Sequence, residues 1–226
     1  MKGVVYIMSV DAATKSIKNE REIRSVRTRR IAVCAILTAM ASILMYLEFP
    51  LTFLGISDIA KYDFSEIPVL IGSFALGPIY GVIIELLKNL IHLPATGTSG
   101  VGELSNFLVG SIFSFTAGAI YNKFKTRKGA LVSMLIATVV FTALAIPLNW
   151  FVNIPFYIKV FNFPMEAIVA TCAAVNPLVK DKMTVILYTF VPLNLIKGVV
   201  ASFVTFWIYK PISNLIHKTR KQTQVD

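Results

Sequence analysis

The sequence predicts an all-α integral membrane protein folded as a six-transmembrane-helix bundle. Composition is the first observation behind this: of 226 residues, 56% are hydrophobic and the mean hydropathy is +0.71. The second is charge content. Only 15% of residues are charged, against about 25% in a typical soluble domain. The third is where the positive charge sits. Basic residues cluster before the first apolar stretch (Lys2, Lys15, Lys18, Arg21, Arg24, Arg27, Arg29, Arg30), midway (Lys123, Lys125, Arg127, Lys128) and after the last (Lys210, Lys218, Arg220, Lys221). Six crossings put all three clusters on one side. The positive-inside rule then makes that side, and both termini, cytoplasmic. The expected division is a basic cytoplasmic tail over 1–30, a membrane domain over 31–216 and a cytoplasmic tail over 217–226. The net charge of +10 is read as membrane topology rather than nucleic-acid binding.

The first span runs from Ile31 to Phe49, near the lower length limit for crossing a bilayer. Glu48-Phe49-Pro50 follows rather than a small-residue cleavage site, so the span is retained and is not a signal peptide. Pro50 to Tyr62 mixes Gly55, Ser57, Asp58 and Lys61, an external loop. Asp63-Phe64-Ser65-Glu66-Ile67-Pro68 opens the second span, with Asp63 or Ser65 as N-cap and Glu66 completing a capping box. That helix ends near Leu76. Gly77-Pro78 turns the chain, and Pro78 suits the first turn of a third helix ending near Pro94. Both spans are short, so tilted or incomplete crossings are expected. A Gly/Thr/Ser loop leads to a fourth helix, from about Glu103 to Lys123. The fifth starts near Gly129 and passes Asn149, where Trp150 is an interface-anchor candidate. The proline-bearing stretch from Val152 to Lys182 reads as an external linker, with an interfacial turn placing Tyr157 and Phe161 at headgroup level. The sixth helix follows, to about Tyr209.

The sixth helix carries the most informative residue. Lys197 lies alone in an apolar stretch, where a charge near the bilayer centre costs about 2.5–3.5 kcal/mol on insertion scales. Such a charge needs a partner or a purpose. Asn194, three residues earlier, shares its helix face. On the third helix Glu85, Lys88, Asn89 and His92 also share one face. Two readings stand: a ligand-site face, or a self-neutralising Glu85–Lys88 pair with His92 reaching the outer surface. Lys88 and Asn89 are taken as a supporting network for a site. Asn149 either contacts a ligand or caps the fifth helix. An amide and an ammonium together suit a flat heterocycle bearing carbonyl and ring-nitrogen acceptors. Phe107, Phe115, Tyr188 and Phe190 are candidate stacking walls. Ala35 and Ala39, Gly77 and Gly81, and Gly110, Ser114 and Gly118 form small-residue stripes that let helices approach closely.

Other chemistries lack their residues. Cys34 and Cys172 sit in apolar surroundings with no metal-ligand spacing. No Walker A loop, Cys-x-x-Cys, His-Glu-x-x-His or Gly-x-Ser-x-Gly is present. An enzyme is not expected, and no metal or cofactor. The one enzymatic alternative is a membrane-embedded lipid-acting protein using Glu85, Lys88 and His92.

Taken in order, Ala35-x-x-x-Ala39, Glu48-Phe49-Pro50-Leu51, DFSEIPVLIG, GPIYGVIIELLKNLIH and NLIK resemble the substrate-binding S components of energy-coupling factor (ECF) transporters. The resemblance is nearest to the riboflavin-specific members and covers about Ile31 to Ile216. It implies a vitamin-binding helical bundle without its own ATPase, holding substrate in the extracellular half under the loop between the first two helices. The implied partners are riboflavin, membrane lipid, a transmembrane coupling subunit and two ATP-binding subunits. FMN is a second candidate ligand, and another vitamin such as thiamine or biotin is the alternative within the family. The resemblance carries flavin contacts to Asn149, Asn194 and Lys197, and further to Glu48 and Glu66. Asn153 is an alternative to Asn149. It carries docking on the coupling subunit to Ala35 and Ala39. In this reading Asp63, Glu66 and the ATGTSG loop are suited to the ribityl hydroxyls, and Asp63 joins Lys88 and Asn89 in the supporting network.

Overall fold

The computed structural model describes the backbone of residues 2–57, 59–160 and 162–222, and the side chains of residue 21 and of residues 23–208 within those segments. The side chains of Lys2, Lys15 and Lys18, those of the expected C-terminal tail, the backbone of residues 223–226, and Asp58 and Phe161 lie outside the described residues.

Among the described residues the fold is helical, with one two-stranded ribbon. Helix α1 spans Lys2–Tyr46, so the expected first span is the end of a longer helix. A segment containing β1 (Phe49–Pro50) and β2 (Lys61–Tyr62) follows, the strands pairing antiparallel with Phe49 opposite Tyr62. Helix α2 is Glu66–Leu76 and α3 is Pro78–His92. Gly77 between them has φ of 117°, a conformation that excludes most side chains. Pro78 opens α3, as expected. Helix α4 is Val101–Lys123. Helix α5, Arg127–Leu148, starts two residues before Gly129, because the Thr126 hydroxyl accepts from the Gly129 amide as an N-cap.

The chain departs most from expectation after Asn149. A wide π turn, Asn149–Asn153, joins α5 directly to α6, Ile154–Val160. Helix α7, Met165–Ala173, follows. The expected irregular linker is therefore largely helical. Helix α8, Lys182–Val185, passes through a second π turn, Ile186–Phe190, into α9, Val191–Gln222. Each π turn ends two residues before a proline, Pro155 or Pro192. A proline has no N–H for the i−4 carbonyl. Widening the preceding turn lets the chain continue as a helix through each proline; at Pro155 the sequence reads as a linker, at Pro192 as a continuing helix.

Among the described residues, four helical stretches are long and apolar enough to cross a bilayer: Ile23–Tyr46, Val101–Lys123, Arg127–Val160 and Lys182–Ile208. Six were expected. Helix α2 has 11 residues, or roughly 16 Å at 1.5 Å per residue, about half of a bilayer's hydrocarbon thickness. Helix α3 has 15 residues and includes Glu85 and Lys88.

Helix α2 is the hub. It packs against α1, α3, α4 and α9, while α1–α3, α3–α4, α4–α5 and α5–α9 contacts surround it. Its apolar residues point in every direction, as a buried helix requires. Val69 and Ile71 meet Cys34, Leu37, Ala41 and Ile84 on one side. Leu70 and Phe74 meet Phe113, Ala117, Met134 and Phe141 on the other. Close approach depends on small residues: a Cβ on Gly118 would stand 2.1 Å from Ser73 Oγ and 3.1 Å from Pro78 Cα. Ile36, Ile43, Leu90, Leu135, Val139, Phe203 and Trp207 face outward and are exposed, the pattern of a surface bathed in lipid.

The capping box expected at α2 does not form. Ser65 is already helical and makes no side-chain cap, while its amide donates to Asp63 Oδ1 at 2.8 Å. Glu66 turns instead to Lys88.

Candidate functional site

A cavity of about 390 Å³ opens at the end of the bundle where the segment 47–65 crosses it. Helices α4, α5 and α9 and the two π turns form its walls. Phe113 and Phe141 lie at its apolar floor, and Ile59, Ala60, Lys61 and Asp63 cover it. The cover is fixed by packing: Leu51, Ile56, Ala60 and Tyr62 bury themselves with Leu193 of α9.

The residues singled out in the sequence converge here. Asn149, Asn194, Lys197, Glu66, Glu48 and Asp63 all line the cavity. Lys197 and Asn194 face inward, not toward lipid. Lys197 Nζ lies 2.9 Å from Asp63 Oδ2 and donates to Asn106 Oδ1 at 3.2 Å. Asp63 thus ties the covering segment to α9. Burial alone would raise the Asp63 pKa, but the Lys197 and Lys88 charges and the Ser65 hydrogen bond outweigh it and hold the carboxyl down to about 2. Glu48, at the rim, pairs with Lys61 at 2.6 Å and is partly exposed.

Lys88 and Asn89 stand behind the wall. Lys88 is fully buried and reaches Glu66 Oε1 at 2.9 Å, Glu85 Oε1 at 2.8 Å and Ser65 Oγ at 2.7 Å. Asn89 donates to the Glu85 carbonyl at 2.8 Å and accepts from Asn106 Nδ2 at 3.3 Å. Both alternatives for the α3 face are therefore present in part: the Glu85–Lys88 pair forms, and it also braces Glu66. His92 does not reach the outer surface. It is buried, lines the cavity and bonds Glu103 Oε1 at 3.0 Å.

Asn149 is not merely a cap. Its Nδ2 donates to the Ala145 carbonyl at 2.7 Å, and its Oδ1 accepts from Asn153 Nδ2 at 2.9 Å. Asn153, the alternative to Asn149, lines the cavity beside it and donates also to Ser105 Oγ at 2.8 Å. Two buried acceptors on residues that line the cavity, Glu66 Oε2 and Asn153 Oδ1, make no hydrogen bond among the described residues. The Asn194 amide has none among the described hydrogen bonds either. Buried polar atoms are rarely left unpaired, so the cavity is furnished for a ligand bearing both donors and acceptors.

The aromatic expectations divide. Phe190 lines the cavity, while Phe115 and Tyr188 are exposed on the outer face and Phe107 is not part of the lining. Phe113, Phe141 and Tyr157 supply the other rings. Tyr157 lines the cavity because α6 continues α5 through the π turn. Trp150 is part-buried against α7 and α8 residues rather than standing free as an interface anchor.

Sequence reasoning missed Asn106 and Glu103. Asn106 joins Lys197 to Asn89. Glu103 gathers His92, Thr96 and Thr98, whose hydroxyls donate to Oε2 at 2.8 and 3.2 Å. The signal was available: Glu103, Asn106 and Gly110 are spaced i, i+3, i+7 on one face of α4, and all three line the cavity.

Apolar helices around a polar-lined cavity under a covering segment define a membrane protein that holds a small molecule. The chain belongs to the ECF transporter, substrate-specific component family, whose model matches residues 29–209. It is 30% identical over 202 residues to the riboflavin transporter RibU of Staphylococcus aureus (strain TCH60), covering 89% of this chain and all of that one. It is 29% identical to the riboflavin transporter FmnP of Bacillus subtilis (strain 168), covering 86% and 97%. A solved structure of the S component of a bacterial ECF transporter superposes with a TM-score of 0.66 at 29% identity, covering 84% of this chain and 98% of that chain.

Proposed function

We propose that this chain is the riboflavin-binding S component of an ECF-type importer. In this reading it captures the vitamin in the 390 Å³ cavity and docks on an ATP-driven module of one coupling subunit and two ATP-binding subunits. The observation that carries the reading is the convergence of Asn149, Asn194 and Lys197 on one cavity with an aromatic floor. The planar, apolar body of a flavin fits between Phe113, Phe141 and Phe190. Its uracil-like edge offers carbonyl and ring-nitrogen groups to Asn194, Asn149 and the Lys197 ammonium. The ribityl hydroxyls lie toward Glu66 and Asn153, whose side chains line the cavity and turn Oε2 and Oδ1 to accept from them on binding. Named relatives transport riboflavin, which supports the choice of vitamin over thiamine or biotin.

The membrane arrangement follows the same reading. Helices α2 and α3 complete six crossings as short, tilted spans. The basic turn around Lys123–Lys128 and both termini are cytoplasmic, and the covering segment is extracellular. Ala35 and Ala39 are exposed on α1, which supports their role in docking. The lipid-acting enzyme alternative gains no support: Glu85 and Lys88 are fully buried in mutual ion pairs, off the cavity.

The test is titration of the purified full chain with riboflavin. Quenching of flavin fluorescence at one site per chain supports the reading. Protein that is colourless as purified and does not quench added riboflavin refutes it.

A further inference from the structure

The π turn Asn149–Asn153 leaves one carbonyl without its helical partner. In an α-helix the Trp150 carbonyl accepts from the amide four residues on, which is Ile154. Here the Ile154 amide donates to the Asn149 carbonyl instead. The next amide along would complete a π bond, but residue 155 is proline and has no N–H. The Trp150 carbonyl is orphaned by the widened turn and the proline together. A buried carbonyl left unpaired is costly.

Lys182 fills the gap from another element. Its Nζ donates to the Trp150 carbonyl at 2.7 Å and stands 4.3 Å from the centroid of the same residue's indole ring. One ammonium holds the residue by its backbone and its ring at once. Lys182 is itself fixed. It is the first residue of α8, whose start is locked by a capping box: the Thr184 amide donates to Asp181 Oδ1, and the Asp181 amide to Thr184 Oγ1, both at 2.8 Å.

The geometry points to Lys182 as a positioning residue for the ligand site, acting through the π turn. Asn149 and Asn153 begin and end that turn and aim both amides into the cavity. Lys182 touches no cavity surface. It holds open the widened turn on which the amide pair depends, and it couples α8 to the site. The inference rests on the riboflavin reading for its first measurement and stands independently of it for its second.

The first measurement is riboflavin affinity of the full chain in detergent. Lys182→Ala weakens binding about tenfold, the scale of one lost charge-assisted hydrogen bond. Lys182→Arg, which keeps the donor and the cation, restores it to within about threefold. In an Asn149→Ala/Asn153→Ala background, Lys182→Ala adds less than about twofold, because it acts through those amides. Unchanged affinity on Lys182→Ala overturns the inference, and leaves the lysine as a surface cation at the end of a span. An equal loss in the double-alanine background also overturns it. The second measurement needs no ligand. Amide hydrogen exchange at Ile154 accelerates about tenfold or more in Lys182→Ala and returns toward the parent rate in Lys182→Arg. Unchanged exchange overturns the inference even where the parent chain binds no riboflavin, an outcome that would itself overturn only the choice of vitamin.

Discussion

Lys197 holds Asp63 and Asn106 at once while facing the cavity. Two effects of its removal can therefore be separated. Lys197→Ala is expected to weaken riboflavin binding at least about tenfold, by loss of a charged donor. It also strands the buried Asp63 carboxylate, which costs on the order of 3–5 kcal/mol. Lys197→Met with Asp63→Asn removes both charges, so melting temperature recovers while affinity does not. Recovery of both would show that Lys197 only supports the covering segment. The Asp63 pKa sets the acid limit. A carboxyl held at about 2 in the folded protein, against about 3.9 when unfolded, stabilises fully above about pH 4. That contribution is lost only as pH falls through the interval between the two values. Stability owed to this pair is expected to be flat from pH 5 to 8, and a fall in melting temperature across that range in the parent but not in Asp63→Asn would contradict it. Lys197 and Asn194 were legible from sequence because a lone charge in an apolar stretch has few explanations. Asn106 was not, because Gly110, Ser114 and Gly118 on the same helix read as packing.

At the scale of elements, Pro155 falls in a stretch that reads as a linker while Pro192 falls inside an expected helix, yet both follow a helix that widened to accommodate them. Restoring an amide tests the consequence. Pro155→Ala gives the Phe151 and Trp150 carbonyls a donor and favours an ordinary α turn. That rotates Asn149 relative to Asn153. Riboflavin affinity is expected to fall about tenfold or more while helical content and melting temperature hold or rise. An unchanged dissociation constant would show that the turn's width does not matter to binding. Helix α2 makes the complementary case for packing. Gly118→Leu forces bulk toward Ser73 and the Pro78 backbone, where a single Cβ already stands too close. Overpacking of this kind typically costs about 1–3 kcal/mol, and a lower melting temperature of the ligand-free protein would register it. The order and ends of α2, α3 and α4 were readable from Gly77-Pro78 and the hydrophobic runs. The π turns were not, since periodicity reports a 3.6-residue repeat and carries no sign of a local 4.4.

For the whole molecule, orientation and docking are the open dimensions. A cysteine placed at Thr126 is expected to react with an impermeant thiol reagent only from the cytoplasmic side, and one at Ser99 only from outside. The opposite labelling would invert the topology proposed from the basic clusters. Ala39→Trp sits on the exposed face of α1, away from the cavity. It is expected to leave riboflavin affinity within about twofold and to abolish uptake by whole cells; retained uptake would remove this face from the docking surface. The all-helical membrane class was evident from hydropathy and charge placement. The burial of α2 was not, because a short helix enclosed on all sides by its neighbours reads in the sequence as one more apolar span.

The pairing of Asp63 with Lys197 also orders events during synthesis. Asp63, Glu66, Glu85 and Lys88 emerge from the ribosome well before α9, so until then this cluster holds three carboxylates against one ammonium. Only the arrival of Lys197 gives Asp63 its counter-ion. A polypeptide halted before residue 182 cannot bury that carboxylate at low cost. A chain truncated before α8 is therefore expected to accumulate to a lower level than the full chain, and Asp63→Asn to narrow that difference.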